Sequence, residues 1–171
     1  MAKGEMERRH WRHCRSRRQL CDYFIKNSDP FFKRQYAMST QIFINLPVSD
    51  LPASMAFYKA LGFENNKQFT DDTAACMVWS DAIFVMLLTH DKWRTFTSRP
   101  IPPTTSNEVM LAHSCDCRET VDKLNDIASQ NGGTADVNPL QDHGFMYGRD
   151  LADLDGHVWE MFWMDIEAIP G

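Results

Sequence analysis

The sequence predicts an α+β domain of two successive βαβββ modules forming a curved mixed sheet around a cleft, with the helices on its outer face. Three observations predict it. Apolar alternation of period two recurs in short segments bounded by turn residues. Helical spacing occurs in two places. The order of these segments repeats on either side of a Pro-rich connector, Arg99-Pro100-Ile101-Pro102-Pro103. With one helix for four strands in each module, the helices cover one side of the sheet, and the other side is free to curve around a cavity.

The first strand is Gln41–Val48, with Ile42, Ile44, Leu46 and Val48 on one face and Phe43, Asn45 and Pro47 on the other. Ser49 or Asp50 caps a helix that tolerates Pro52 in its first turn. Its stripe is Leu51, Met55, Tyr58 and Leu61, and Gly62 ends it. Strands follow at Phe63–Thr70, Ala74–Trp79 and Ile83–Thr89, with turns at Asp71-Asp72 and Ser80-Asp81. The second module opens with a strand at Glu108–Ser114. Asp116 and Glu119 then form an acidic capping box for a helix striped by Val121, Leu124 and Ala128, which stops at Asn131-Gly132-Gly133. Strands are expected near Thr134–Val137, Phe145–Leu151 and Val158–Met164, the last two joined by a hairpin turn ending in Asp155-Gly156.

The chain has 171 residues, 43% hydrophobic and 24% charged, enough for one domain with a real core. No apolar run is long enough to span a bilayer, and no h-region marks a secretory signal. Five cysteines without framework spacing fit reduced thiols in the cytoplasm, although Cys115-x-Cys117 is open to a metal or redox reading. No Gly-x-Ser-x-Gly, phosphate-binding loop or suitably spaced carboxylate pair occurs.

Charge divides the chain. Residues 1–37 carry 10 Lys/Arg and 4 Asp/Glu, a net of +6, and the remainder carries 8 and 19, a net of −11. The basic arm reads as a nucleic-acid contact, as an Arg-rich targeting segment, or as an extension outside a domain of residues 38–171, with Met38 as the natural first residue. The extension is the expected reading, and nucleic acid is not an expected partner. His10, His13, Cys14 and Cys21 match no common zinc spacing.

The most informative residue is Glu160. It shares a strand face with Val158, Phe162 and Met164, while His157, Trp159, Met161 and Trp163 take the other face. A carboxylate in an apolar face needs a partner, a proton or a metal.

Two patterns carry a resemblance to a known family: Leu46-Pro47-Val48-Ser49-Asp50-Leu51 with Ser54-x-x-Phe57-Tyr58-x-x-Leu61-Gly62-Phe63, and Asp153-Leu154-Asp155-Gly156-His157-x-Trp159-Glu160. They resemble the vicinal oxygen chelate superfamily of glyoxalase I, extradiol dioxygenases and bleomycin- and fosfomycin-resistance proteins. The stretch Gln141–Arg149 is closer to a bacterial subgroup of predicted lactoylglutathione lyases. The resemblance spans residues 40–167 and implies a sheet from each module, the two arranged around a cleft, often within a homodimer.

In metal-dependent relatives the cleft holds a divalent ion, with ligands from the first and fourth strands of each module. The resemblance carries these positions onto Phe43, Met86, Met110 and Glu160. Phe cannot ligate and a thioether suits hard ions poorly, so one of the four positions keeps a ligand. The expectation is therefore an apolar cleft for a small molecule, lined by Phe43, Asn45, Met86, Met110 and Phe162 around Glu160, with no cofactor. Glu160 is the candidate acid or base, its pKa expected to rise by desolvation. Tyr147 and Arg149 share a face of the neighbouring strand, where they either hold a ligand carboxylate or pair with an acidic residue. The alternative is a metal-dependent lyase or dioxygenase with displaced ligands from His113, His143 and His157 and a Zn, Ni, Fe or Mn ion. Those histidines are otherwise core or surface residues.

Overall fold

A computed structural model describes residues 40–169. The basic segment 1–37, with its three readings and its His/Cys candidates, lies outside the described residues.

The first module runs β1 (Ile42–Val48), α1 (Leu51–Ala60), β2 (Glu64–Asn66), β3 (Ala74–Val78) and β4 (Ile83–Thr89). Asp50 caps α1 by accepting from the Ala53 N–H at 2.9 Å, and Pro52 sits in the first turn, where no backbone donor is needed. Gly62, at φ +105°, carries the chain out of the helix. The second module runs β5 (Met110–Ser114), α3 (Arg118–Gln130), β6 (Thr134–Ala135), β7 (Gln141–Asp142), β8 (Met146–Ala152) and β9 (Val158–Met164). Between them lie α2 (His90–Phe96) and the connector. No helix among the described residues is long and apolar enough to cross a membrane.

The strand orders β1-β4-β3-β2 and β5-β9-β8-β6 are the same arrangement used twice, with β7 added beside β8. In each sheet the first and last strands pair in parallel and the others antiparallel, so the mixed fold expected from the repeat is present. One core joins the modules. Phe57, Tyr58 and Phe63 from the first meet Val121, Leu124, Leu151, Trp159 and Met161 from the second. Burying side chains of this size contributes roughly 1.5–3 kcal/mol each.

Several local features depart from the sequence reading, among them the short strand β7. Asp116 does not cap α3. Cys117 holds the N-cap position without a side-chain bond, and Asp116 instead accepts from the Thr120 hydroxyl at 2.6 Å. The strand expected from Phe63 to Thr70 shortens to β2 followed by a 3-10 turn at Lys67–Phe69, because Asn66 accepts from the Gln68 N–H and folds the chain over. The helix α2 has no counterpart in the sequence reading; Thr89 caps it through the Lys92 N–H.

Candidate functional site

Alternation fixes two faces on every strand. Leu46, Val48, Val85, Leu87, Trp159 and Met161 point into the core under the helices. Phe43, Asn45, Met86, Met110, Glu160 and Phe162 therefore share the opposite, open side of their sheets, as expected. Phe43 is 49% exposed and stacks on Phe84 with ring centroids 4.7 Å apart; Met110 is 43% exposed. Met86, Glu160 and Phe162 are half-buried.

The registers show that the four family positions are equivalent. Phe43 pairs with Phe84, two residues before Met86; Met110 pairs with Val158, two residues before Glu160. The same diagonal offset in both parallel pairs places Phe43/Met86 and Met110/Glu160 at matching sites of the duplicated module. The divalent ion of metal-dependent relatives does not fit this set. A phenyl ring offers no donor, two thioethers are soft, and one carboxylate remains. Among the described residues no three His, Cys, Asp or Glu side chains gather around a common point. The three histidines of the alternative reading are apart: His113 packs against Trp79 at 4.1 Å, His143 neighbours Phe145, and His157 bonds Pro47.

Glu160 is not alone on its face. Its direct cross-strand partner is Asp150 on β8, so the two acidic residues share one side of the sheet. Their separation of ten positions gave no sequence signal, because the hairpin register alone brings them together. Asp150 is 4% exposed and accepts from the Asn138 amide at 2.6 Å. Glu160 makes no side-chain hydrogen bond or ion pair among the described residues.

Tyr147 and Arg149 do not join this group. Arg149 pairs with Met161 across the hairpin and so faces α3, opposite to Glu160. It bonds Asp122 at 2.9 Å and Asp136 at 2.8 and 2.9 Å, and Tyr147 donates to Asp122 at 2.8 Å. Of the two sequence readings, pairing with acids is what the geometry shows, and these hydrogen bonds raise the Arg149 pKa. The Gln141–Arg149 stretch has a structural use as well. Asp142 takes both guanidinium nitrogens of Arg118, which also donates to the Gly144 carbonyl and lies over the Tyr147 and Trp163 rings. That bond holds the Asp142 pKa at about 2. Cys115 and Cys117 are free thiols; burial pushes the first up to about 11, away from nucleophilic use.

The Asp153–His157 turn joins the modules. Buried Tyr58 donates to Asp153 at 2.8 Å and accepts from the Trp159 indole at 3.1 Å. Asp155 accepts from the Ser49 N–H, and the His157 ring bonds the Pro47 carbonyl at 2.8 Å. Pro47 suits this edge strand, having no N–H to leave unpaired on its free side. Beside this junction lies a cavity of about 410 Å³, bordered by β1, Leu111, the connector and the 154–158 turn. Of the sequence-predicted cleft residues Asn45 alone lines it, joined by His157 from the metal-dependent alternative.

Several solved structures share this fold. Hypothetical protein SA1046 from S. aureus is 27% identical, with a TM-score of 0.63, and the match covers 79% of this chain and 99% of that one. A glyoxalase/bleomycin resistance protein/dioxygenase family enzyme from Burkholderia phytofirmans PsJN is 18% identical, with a TM-score of 0.63 and coverage of 74% and 100%. The fosfomycin resistance protein FosX from Listeria monocytogenes is 16% identical, with a TM-score of 0.56 and coverage of 77% and 96%. No curated protein matches the chain. Residues 40–161 match the family described as Glyoxalase/Bleomycin resistance protein/Dioxygenase superfamily, and the chain belongs to it.

Proposed function

We propose that the chain binds a small, largely apolar molecule on the open strand face, without the divalent ion of its metal-dependent relatives, and that Glu160 accepts a proton or hydrogen bond from it. The observation that carries this reading is Glu160 itself: half-buried, unpaired among the described residues, and set beside Asp150 on an otherwise apolar face. Removing a carboxylate from water costs several kcal/mol unless something compensates, and a donor on a bound molecule would do so. Met110 and Phe162, on the same face of the same sheet, supply apolar surface beside it, while Phe43 and Met86 occupy the equivalent positions of the other sheet. Exposed Phe43 and Met110 support closure of this face by a second copy of the chain, giving a homodimer. Free Cys76, Cys115 and Cys117 support a cytoplasmic setting. Kinship with predicted lactoylglutathione lyases rests on a stretch that here braces β7 and β8 and supplies no ion ligand.

The test is a thermal-shift screen of small apolar donors with native protein and Glu160→Gln, each with and without chelator. A binder whose affinity drops about tenfold or more in the variant and ignores chelator is expected. Binding that requires Zn, Ni, Fe or Mn would refute the reading and favour a metal-dependent lyase.

A further inference from the structure

We propose that the cavity between the two modules is a second binding site, one that takes a small hydrophobic amine. The cavity, about 410 Å³, falls within the range of ligand pockets, roughly 300–1,000 Å³. It sits where β1 and β5, edge strands of separate sheets, leave a gap that no ladder closes. The connector roofs the gap. Its walls are Ile44, Leu46, Leu111 and Val158, with Trp93 and Pro102 on the roof side.

The roof has a fixed seat. A Cβ on Gly156 would lie 2.6 Å from the Thr104 carbonyl oxygen, so this glycine lets the connector rest directly on the 154–158 turn.

The polar groups set the ligand's charge. Asp155 and Glu108 line the cavity together with His90 and His157, and no Lys or Arg is among the described lining residues. A carbonyl only accepts, so the His157 Nε2–H donates to Pro47. In the neutral ring the Nδ1 lone pair is then left as an acceptor. This acceptor, and acids without a cationic partner among the described residues, disfavour carboxylates and phosphates; they favour a protonated or N–H-bearing nitrogen on an apolar body, with Trp93 available to a cation. Of the open-face residues only Asn45 borders this site, and Glu160, Met86 and Phe162 do not, so it is tested separately from the open-face reading.

Three probes of one shape separate the possibilities: phenethylamine, 2-phenylethanol and phenylacetate, titrated into the full-length chain and followed by backbone and indole chemical shifts. Phenethylamine should bind about tenfold or more tighter than phenylacetate, with shifts at Leu111, Thr104, Val158 and the Trp93 indole. Val109→Trp, placed at an exposed connector position on the cavity rim, should abolish these shifts. Asp155→Asn, which still accepts from Ser49, should lose the amine preference and keep the alcohol. Equal or tighter binding of phenylacetate overturns the proposal. So do shifts confined to the Glu160 face, an indifferent Val109→Trp, or no binding of any probe.

Discussion

Replacing Tyr58 by Phe removes one oxygen and almost no volume, so the change isolates the hydrogen-bonded junction between the modules. The hydroxyl is fully buried and serves two partners, the Asp153 carboxylate at 2.8 Å and the Trp159 indole N–H at 3.1 Å. A hydrogen bond to a charged group contributes roughly 1.5–3 kcal/mol, and a buried donor left without a partner costs roughly 1–3 kcal/mol. Relief from burying the hydroxyl offsets part of this, leaving an expected loss of about 2–4 kcal/mol. The loss should depend on pH. Burial raises the Asp153 pKa above its ordinary value, while nearby His157 and the Tyr58 hydrogen bond draw it down. With the folded pKa above the unfolded one, the stability that the protonated acid contributes is present at low pH and lost as pH rises through the folded value. Without the Tyr58 donor that folded value climbs further, so the variant is penalised more near neutrality than in acid. Urea unfolding at about pH 7.5 and about pH 5 measures both effects. A loss below about 1 kcal/mol at the higher pH, or a penalty that grows toward acid, would refute the reasoning.

Gly156→Ala should cost about 1–3 kcal/mol, since it adds a Cβ at φ +87° against Thr104; faster proteolysis of the connector, alongside a lowered melting point, checks this. Burial lowers the His113 pKa, and its Nδ1 is buried without a partner among the described residues. A depressed pKa gives stability above the unfolded value that is lost as pH falls through the folded value, so this contribution should fade below about pH 6.5. His113→Leu should weaken less than wild type over that range in melting scans; parallel curves would show that His113 does not titrate with unfolding.

Much of the architecture was legible because period-two patterns are unambiguous when one face is buried. The bounds of β9 and the face of Glu160 followed from alternation alone. The connections were less legible. The segment His90–Phe96 is short and lacks an apolar stripe, and its helix depends on the Thr89 cap and packing against β4 and β1. The capping box at Asp116 failed because Thr120 competes for the carboxylate. In the candidate site, Phe43, Asn45, Met86, Met110, Glu160 and Phe162 could be assigned to one side from the sequence. The side taken by Arg149 could not, since a strand carrying Tyr147, Arg149 and Leu151 against Gly148 and Asp150 presents polar groups on both.

The sequence by itself determined the duplicated module and the faces of its strands, both of which depend on residue identity and local spacing. Tertiary structure alone decided that Asp150 stands beside Glu160, that Tyr58 and Asp153 bolt the modules together, and that a cavity opens beneath the connector. These features arise from register and from how two sheets approach each other, and neither is encoded within any single segment of chain.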